Sequence, residues 1–192
     1  DARNVGGVTG FCMHHIDMRT VIQWLYLVEN ASFDSQATTA QGNVDGSTTY
    51  ATDHPDNLAA SYRGIVALWG NLTEWIDGIR TFNSIIERRG YFGAAWEATG
   101  EGVPNSGNNH QPVTMRTAFS IADLFVAETF DTPDDGLRAT IPDANAFRTG
   151  TNYGHAGGSR GNGLRAGLWY LFVSSPPTNT NTAVGSRLAR VP

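Results

Sequence analysis

Six glycines (Gly150, Gly154, Gly157, Gly158, Gly161 and Gly163) crowd the chain just ahead of the apolar run Ala166-Gly167-Leu168-Trp169-Tyr170-Leu171-Phe172-Val173. Glycine enters left-handed backbone at no steric cost, so this pattern reads as a turn-forming loop feeding a strand. The loop has no Lys and does not open a helix, which sets aside a phosphate-cradling role. In the strand, Trp169, Leu171 and Val173 alternate with Tyr170 and Phe172, so one of the two faces is core. The last run, from Gly185 to Val191, reads as its antiparallel partner across a polar turn at 174–182.

At 192 residues and 40% hydrophobic content, residues 1–192 suffice for one domain with one sizeable core. Charged residues make up only 16% and glycine numbers 22, a composition for a loop-rich surface. All 13 basic residues are Arg and the formal net charge is -5, the opposite of a nucleic-acid-binding balance. Cys12 is the single cysteine, so neither an internal disulfide nor a thiolate metal cluster is expected. No apolar run is long enough to span a bilayer, and no leader pattern opens the chain. The start at Asp1 leads us to expect the C-terminal part of a longer protein.

Over residues 17–29, Met18, Val21, Ile22, Leu25 and Val28 recur at helical spacing, with Asp17 as N-cap and a stop near Asn30. Residues 32–56 are a polar surface excursion, and a second short helix is expected over 58–68. Trp75, Ile76, Ile79, Phe82, Ile85 and Ile86 read as short strands, with a turn at Arg89-Gly90. Residues 100–112 read as a loop, while 121–130 suits either an internal strand or a short helix.

Four ordered segments carry a resemblance. They are residues 11–42, with Phe33-Asp34-Ser35-Gln36 and Gln41-Gly42; Tyr62-Arg63-Gly64-Ile65 with Leu68-Trp69-Gly70-Asn71-Leu72-Thr73-Glu74-Trp75-Ile76-Asp77-Gly78; Gly157-Gly158-Ser159 through Ala166-Gly167-Leu168; and Asn181 through Gly185-Ser186-Arg187-Leu188. Together they resemble the C-type-lectin-like domains of phage tail and tail-fibre proteins, of diversity-generating-retroelement variable proteins, and of the formylglycine-generating-enzyme-like fold. Two positions depart from the pattern: Arg160 where Trp is frequent, and Ser186 where Phe or Ala is common. The resemblance implies an α+β, C-type-lectin-like fold with one long N-terminal helix, a second short helix, short antiparallel strands and long loops. Trp69 and Trp75 are then buried scaffold, and Asn71 and Glu74 satisfy backbone donors.

The same resemblance places a ligand face on the Gly-rich loop and the strand after it. Carried onto this sequence, it comprises Asn152, Tyr153, His155, Arg160, Asn162, Arg165, Tyr170, Phe172 and Ser174. Aromatic and Arg side chains among Asn and Ser suit an adaptable recognition surface. The expected function is a receptor-binding or adhesin domain on a virion tail or at a cell surface, contacting a host protein or glycan without cofactor. Other virion tail subunits and a homotrimer are expected partners, nucleic acid and membrane are not, and a structural tail or capsid decoration protein is the alternative.

Catalytic and metal readings are weaker. Adjacent His14 and His15, with Asp17, diverge too much for a metal site, and Asp131, Asp134, Asp135 and Asp143 match no calcium loop and read as a solvated acidic surface. No nucleophile elbow appears, and one cysteine cannot supply the cysteine pair of the formylglycine-generating enzymes. Cys12 reads as a small buried hydrophobe, and the chain as a binder rather than an enzyme.

Overall fold

The computed structural model describes residues 4–5, 8–103, 112–115, 124–130 and 141–190. Strands dominate them. Short β1 (Asn4–Val5), β2 (Val8–Thr9) and β3 (Phe11–Met13) precede α1 (Ile16–Asn30), α2 (Ser35–Thr38) and α3 (Pro55–Ala59). There follow β4 (Thr73–Phe82), β5 (Ile85–Arg88), β6 (Glu97–Gly102), β7 (Pro112–Met115), β8 (Ala127–Phe130) and β9 (Asn145–Phe147). The chain closes with β10 (Asn152–Ala156), β11 (Leu171–Ser175), β12 (Val184–Ser186) and β13 (Leu188–Arg190).

A seven-stranded sheet in the order β6-β5-β4-β10-β11-β9, with β12 also on β4, organises the molecule. The remaining strands form three two-stranded sheets, β1-β2, β13-β3 and β7-β8. This corrects the expected α+β class: the protein is mostly β, with helices of 15, 4 and 5 residues. Four helical turns over residues 16–30 do not set the architecture. The expected helix over 58–68 is replaced by α3, which Pro55 starts at a helix-compatible φ, and by the tight turn Tyr62-Arg63-Gly64-Ile65. The segment at 121–130 resolves as strand over Ala127–Phe130, and Gly100–Gly102 belong to β6 rather than to a loop.

The buried face of α1 is not the apolar stripe. Ile16, Arg19, Thr20, Gln23 and Tyr26 are buried, whereas Val21 (57% exposed), Trp24 (46%), Leu25 (38%) and Val28 (81%) face outward. The reason lies in the loops opposite. Arg19, 1% exposed, donates through Nη1 to the Leu68 carbonyl (2.9 Å) and through Nη2 to those of Leu168 (2.8 Å) and Gly167 (3.3 Å). Gln23 also donates to Leu168 (2.9 Å). Irregular chain carries carbonyls that no ladder satisfies, and a long donor side chain from the helix is the available remedy. Desolvation pulls the Arg19 guanidinium down to about 10, opposed by the charges of Glu74 and Asp143. His15, not Asp17, caps the helix, its Nδ1 accepting from the Asp17 N–H at 3.2 Å.

β4 is one ten-residue strand where short pieces were expected. It turns into β5 through Asn83 (φ 45°) and Ser84 (φ 65°), two left-handed residues matching the twist of a tight hairpin. Opposite β10 it bulges: Tyr153 pairs with Arg80, but Gly154 pairs with Ile76. The extra residues let the Asp77 N–H reach the His14 carbonyl (2.8 Å), and Gly78 (φ 88°) leaves its Cβ position to the His15 ring.

Beneath the sheet lie Ile76, Ile79, Ile86, Phe147, Leu171 and Val173; a second cluster gathers Tyr26, Leu68, Trp69, Phe125, Leu168 and Trp169. Trp69 is fully buried and donates to the Ala40 carbonyl (3.0 Å), whereas Trp75 is only half-buried. Asn71 accepts from the Tyr50 N–H (2.8 Å), as anticipated, but Glu74 pairs with Arg187 instead of serving backbone donors. Cys12 is buried as a free thiol. The two C-terminal runs do not pair with each other: β11 lies between β10 and β9, β12 runs parallel to β4, and β13 pairs with β3. Residues 11–13 and 188–190 thus meet in one small sheet.

Candidate ligand-binding face

The Gly-rich loop is held in one shape by named contacts. Gly157 (φ 87°) runs so close to residue 68 that a Cβ would stand 2.9 Å from the Leu68 carbonyl oxygen. Farther along, Asn162 Oδ1 accepts from the Ser159 N–H (2.6 Å) and hydroxyl (2.9 Å), and the Arg160 N–H donates to Asn71 (3.1 Å). Gln36 donates to the carbonyls of Gly163 (2.9 Å) and Ala166 (2.6 Å), closing the far end. A loop so tied presents its side chains without a large ordering cost.

Across the sheet, His155 is in register with Trp75 on one side and Phe172 on the other, and Ser186 is in register with Trp75. Paired residues share a face, so β12, β4, β10 and β11 carry a row of Ser186, Trp75, His155 and Phe172 on the face opposite Ile76, Leu171 and Val173. Tyr170 extends the row, its ring stacked on Phe172 at 4.4 Å and 2°. The His155 ring meets Trp75 edge-to-face at 3.9 Å. Burial lowers His155 to about 4, so it is neutral near pH 7. Burial likewise pushes the Tyr170 phenol up, against the opposing pull of Arg165 and Asn162.

The nine residues expected at this face divide into three groups. His155, Tyr170 and Phe172 come together in the row, with Phe172 and Ser174 half-exposed and the other two buried. Asn162 and Arg165 line a cleft of about 360 Å³ with Val44, Asp45 and Leu164. The rest have structural ties: Arg160 straps the loop to the Ser47 carbonyl (3.1 Å) and to Thr182 (3.1 Å), and buried Asn152 donates to Thr149 (2.9 Å) and Thr81 (3.2 Å). Tyr153 lies at the other end of β10, near Arg80 (3.5 Å) and Trp96 (5.9 Å between centroids). There Arg80 and Arg89 each lie 4.5 Å from the Trp96 ring centroid.

Sequence reasoning missed Trp75 and Ser186 as members of the face. For Trp75 the signal was present, because its neighbour Ile76 is core and strand side chains alternate. Nothing local pointed to Ser186, which joins only through the parallel pairing of β12 with β4.

Other groups singled out by type behave as scaffold. His15 uses both ring nitrogens, Nε2 with the Arg89 carbonyl (3.0 Å) and Nδ1 with Asp17. Asp143, expected on a solvated acidic surface, is buried and accepts from the Trp169 N–H (2.7 Å); Asp131, Asp134 and Asp135 lie outside the described residues. Among the described residues no helix is long and apolar enough to cross a membrane. No family model matches the chain, and no curated protein matches it.

Proposed function

We propose that this chain is a ligand-recognition domain, a receptor-binding or adhesin module of a virion tail or cell surface, whose Gly-rich loop and strand β11 contact a host protein or glycan. The observation that carries this reading is the row Trp75, His155, Phe172 and Tyr170 beside the cleft of Asn162 and Arg165. Half-exposed Trp75 and Phe172 on a hydrogen-bonded sheet, backed by buried His155 and Tyr170 and next to an Arg and short polar side chains, are the chemistry of recognition hot spots. The sequence resemblance to phage-tail and retroelement-diversified binding domains points the same way.

The test is binding of the labelled domain to host cells or purified envelope by the Phe172→Ser and Arg165→Ala variants, singly and together. Loss of binding with an unchanged thermal transition is expected; undiminished binding by the double variant overturns the site.

A structural virion subunit is the second reading. It is favoured by one observation, the outward Val21, Trp24, Leu25 and Val28 of α1, an apolar ridge suited to burial against neighbouring tail subunits or copies of the chain. Host binding by the isolated domain excludes it as the sole role.

A further inference from the structure

We propose that the row Trp75, His155 and Phe172 binds an uncharged glycan, with one pyranose ring stacked on Trp75 and a second on Phe172. The inference rests on the recognition face proposed above and names the class of its ligand. Trp75 and Phe172 stand on β4 and β11 with β10 between them, so two strand spacings, about 10 Å, separate them, the reach of two linked pyranose rings. Both are half-exposed, and Tyr170, stacked at 4.4 Å and 2°, fixes the plane of the Phe172 ring. An aromatic ring is electronegative on its faces, and the apolar face of a pyranose offers it a set of C–H groups.

His155 supplies the independent observation. It is 5% exposed, and among the described residues its Nε2 has no hydrogen-bond partner. That nitrogen lies on the distal edge of an imidazole that projects from the same face as the two aromatic rings. A buried polar atom without a partner carries a desolvation cost that a ligand relieves. The imidazole is neutral near pH 7, so Nε2 is either a donor or an acceptor, and a hydroxyl group answers both. The Trp75 ring covers the imidazole edge-to-face at 3.9 Å, and binding turns this half-exposed indole aside.

Ser186 beyond Trp75 and Ser174 beside Phe172 add hydroxyl groups, and no member of the row is charged. Rings interleaved with neutral polar groups complement a polyol, whereas an acidic or basic ligand finds no counter-charge there.

The experiment is an array of neutral and acidic oligosaccharides probed with the labelled whole domain, followed by calorimetric titration with the bound oligosaccharide and its monosaccharide. Binding to a neutral oligosaccharide is expected, unchanged by EDTA because the row holds no carboxylate, and about ten-fold or more tighter for the trisaccharide than for the monosaccharide. Trp75→Ala, Phe172→Ala and His155→Phe, which keeps a ring but removes the nitrogen, each weaken it by about ten-fold or more. The Trp75 indole N–H resonance, assigned with Trp75→Phe, shifts on saturation of the parent domain, a readout independent of how the variants fold. Acidic oligosaccharides alone, equal affinity for monosaccharide and trisaccharide, no oligosaccharide bound, or undiminished binding by the three variants overturns the assignment. Binding to host envelope that survives periodate but is lost to proteinase K and to Phe172→Ser overturns it in favour of a protein ligand and leaves the recognition face standing. Envelope binding indifferent to Phe172→Ser with Arg165→Ala removes both.

Discussion

Arg187 grips Glu74 in a fork, Nε at 2.7 and 2.8 Å from the two carboxylate oxygens and Nη2 at 2.6 Å from one, across 113 residues of chain. Nη2 also donates to the carbonyls of Val66 (3.1 Å) and Ala67 (2.8 Å). Both partners belong to the sequence segments that framed the resemblance, and the pair ties β4 to the end of β12. With side chains 13% and 21% exposed, truncating one partner strands the other. Glu74→Ala is expected to destabilise by about 3 kcal/mol, and Arg187→Lys, which cannot reproduce the fork, by about half as much. Urea unfolding monitored by Trp fluorescence reads both.

Arg19 has the same role without a carboxylate in direct contact. Arg19→Met keeps the bulk but leaves the Leu68 carbonyl without its donor, while the Tyr170 N–H still serves Gly167 (3.2 Å) and Gln23 still serves Leu168. The expected cost is about 3 kcal/mol. Hydrogen exchange at Gly167 to Trp169 should rise first, and a variant as stable as the parent would refute the assigned role.

Gly78→Ala combines a left-handed φ of 88° with a methyl group driven into the His15 ring. Roughly 3 kcal/mol or more is expected, read as a large fall in melting temperature. Gly161→Ala, with open space around its Cβ position, is the matched control and should change little.

Two buried histidines make the fold acid-sensitive. His14 is lowered to about 3 by burial and by the charges of Arg19, Arg187 and His15, and His155 to about 4 by burial, against 6.5 for the free side chain. Between the folded and unfolded values the unfolded chain holds more protons, so stability is full above about pH 6.5 and falls as pH drops toward 4. His155→Phe should flatten this slope, removing on the order of 2 to 3 kcal/mol of the difference between pH 7 and pH 4. A denaturation midpoint with the parent's pH dependence would count against it.

The outward stripe of α1 predicts tolerance where an amphipathic reading predicts collapse. Val21→Lys and Val28→Lys, at sites 57% and 81% exposed, should shift stability by less than about 0.5 kcal/mol in the isolated domain. Tyr26→Ala, at a fully buried site, should cost about 3 kcal/mol or more.

Local chemistry was legible in the sequence. The helix over 17–29, though not its cap, the glycine-shaped loop and the strand at Leu171 follow from spacing and residue type, because each is decided within a few residues; the burial of Trp69 and the backbone role of Asn71 came from the resemblance, which misplaced Trp75 and Glu74. What tertiary structure alone decided is partnership. The apolar stripe of α1 faces outward because loop carbonyls at 68, 167 and 168 demand the donors of Arg19 and Gln23. The class is mostly β because distant short strands find ladder partners, β12 on β4 and β13 on β3, that no local pattern announces. For the face, the sequence named His155, Tyr170 and Phe172, but only strand register brought Trp75 and Ser186 beside them and showed Asn152 and Arg160 bound to the scaffold. Periodicity reports which side of an element differs from the other; which side is buried is settled by the hydrogen-bonding needs of whatever packs against it.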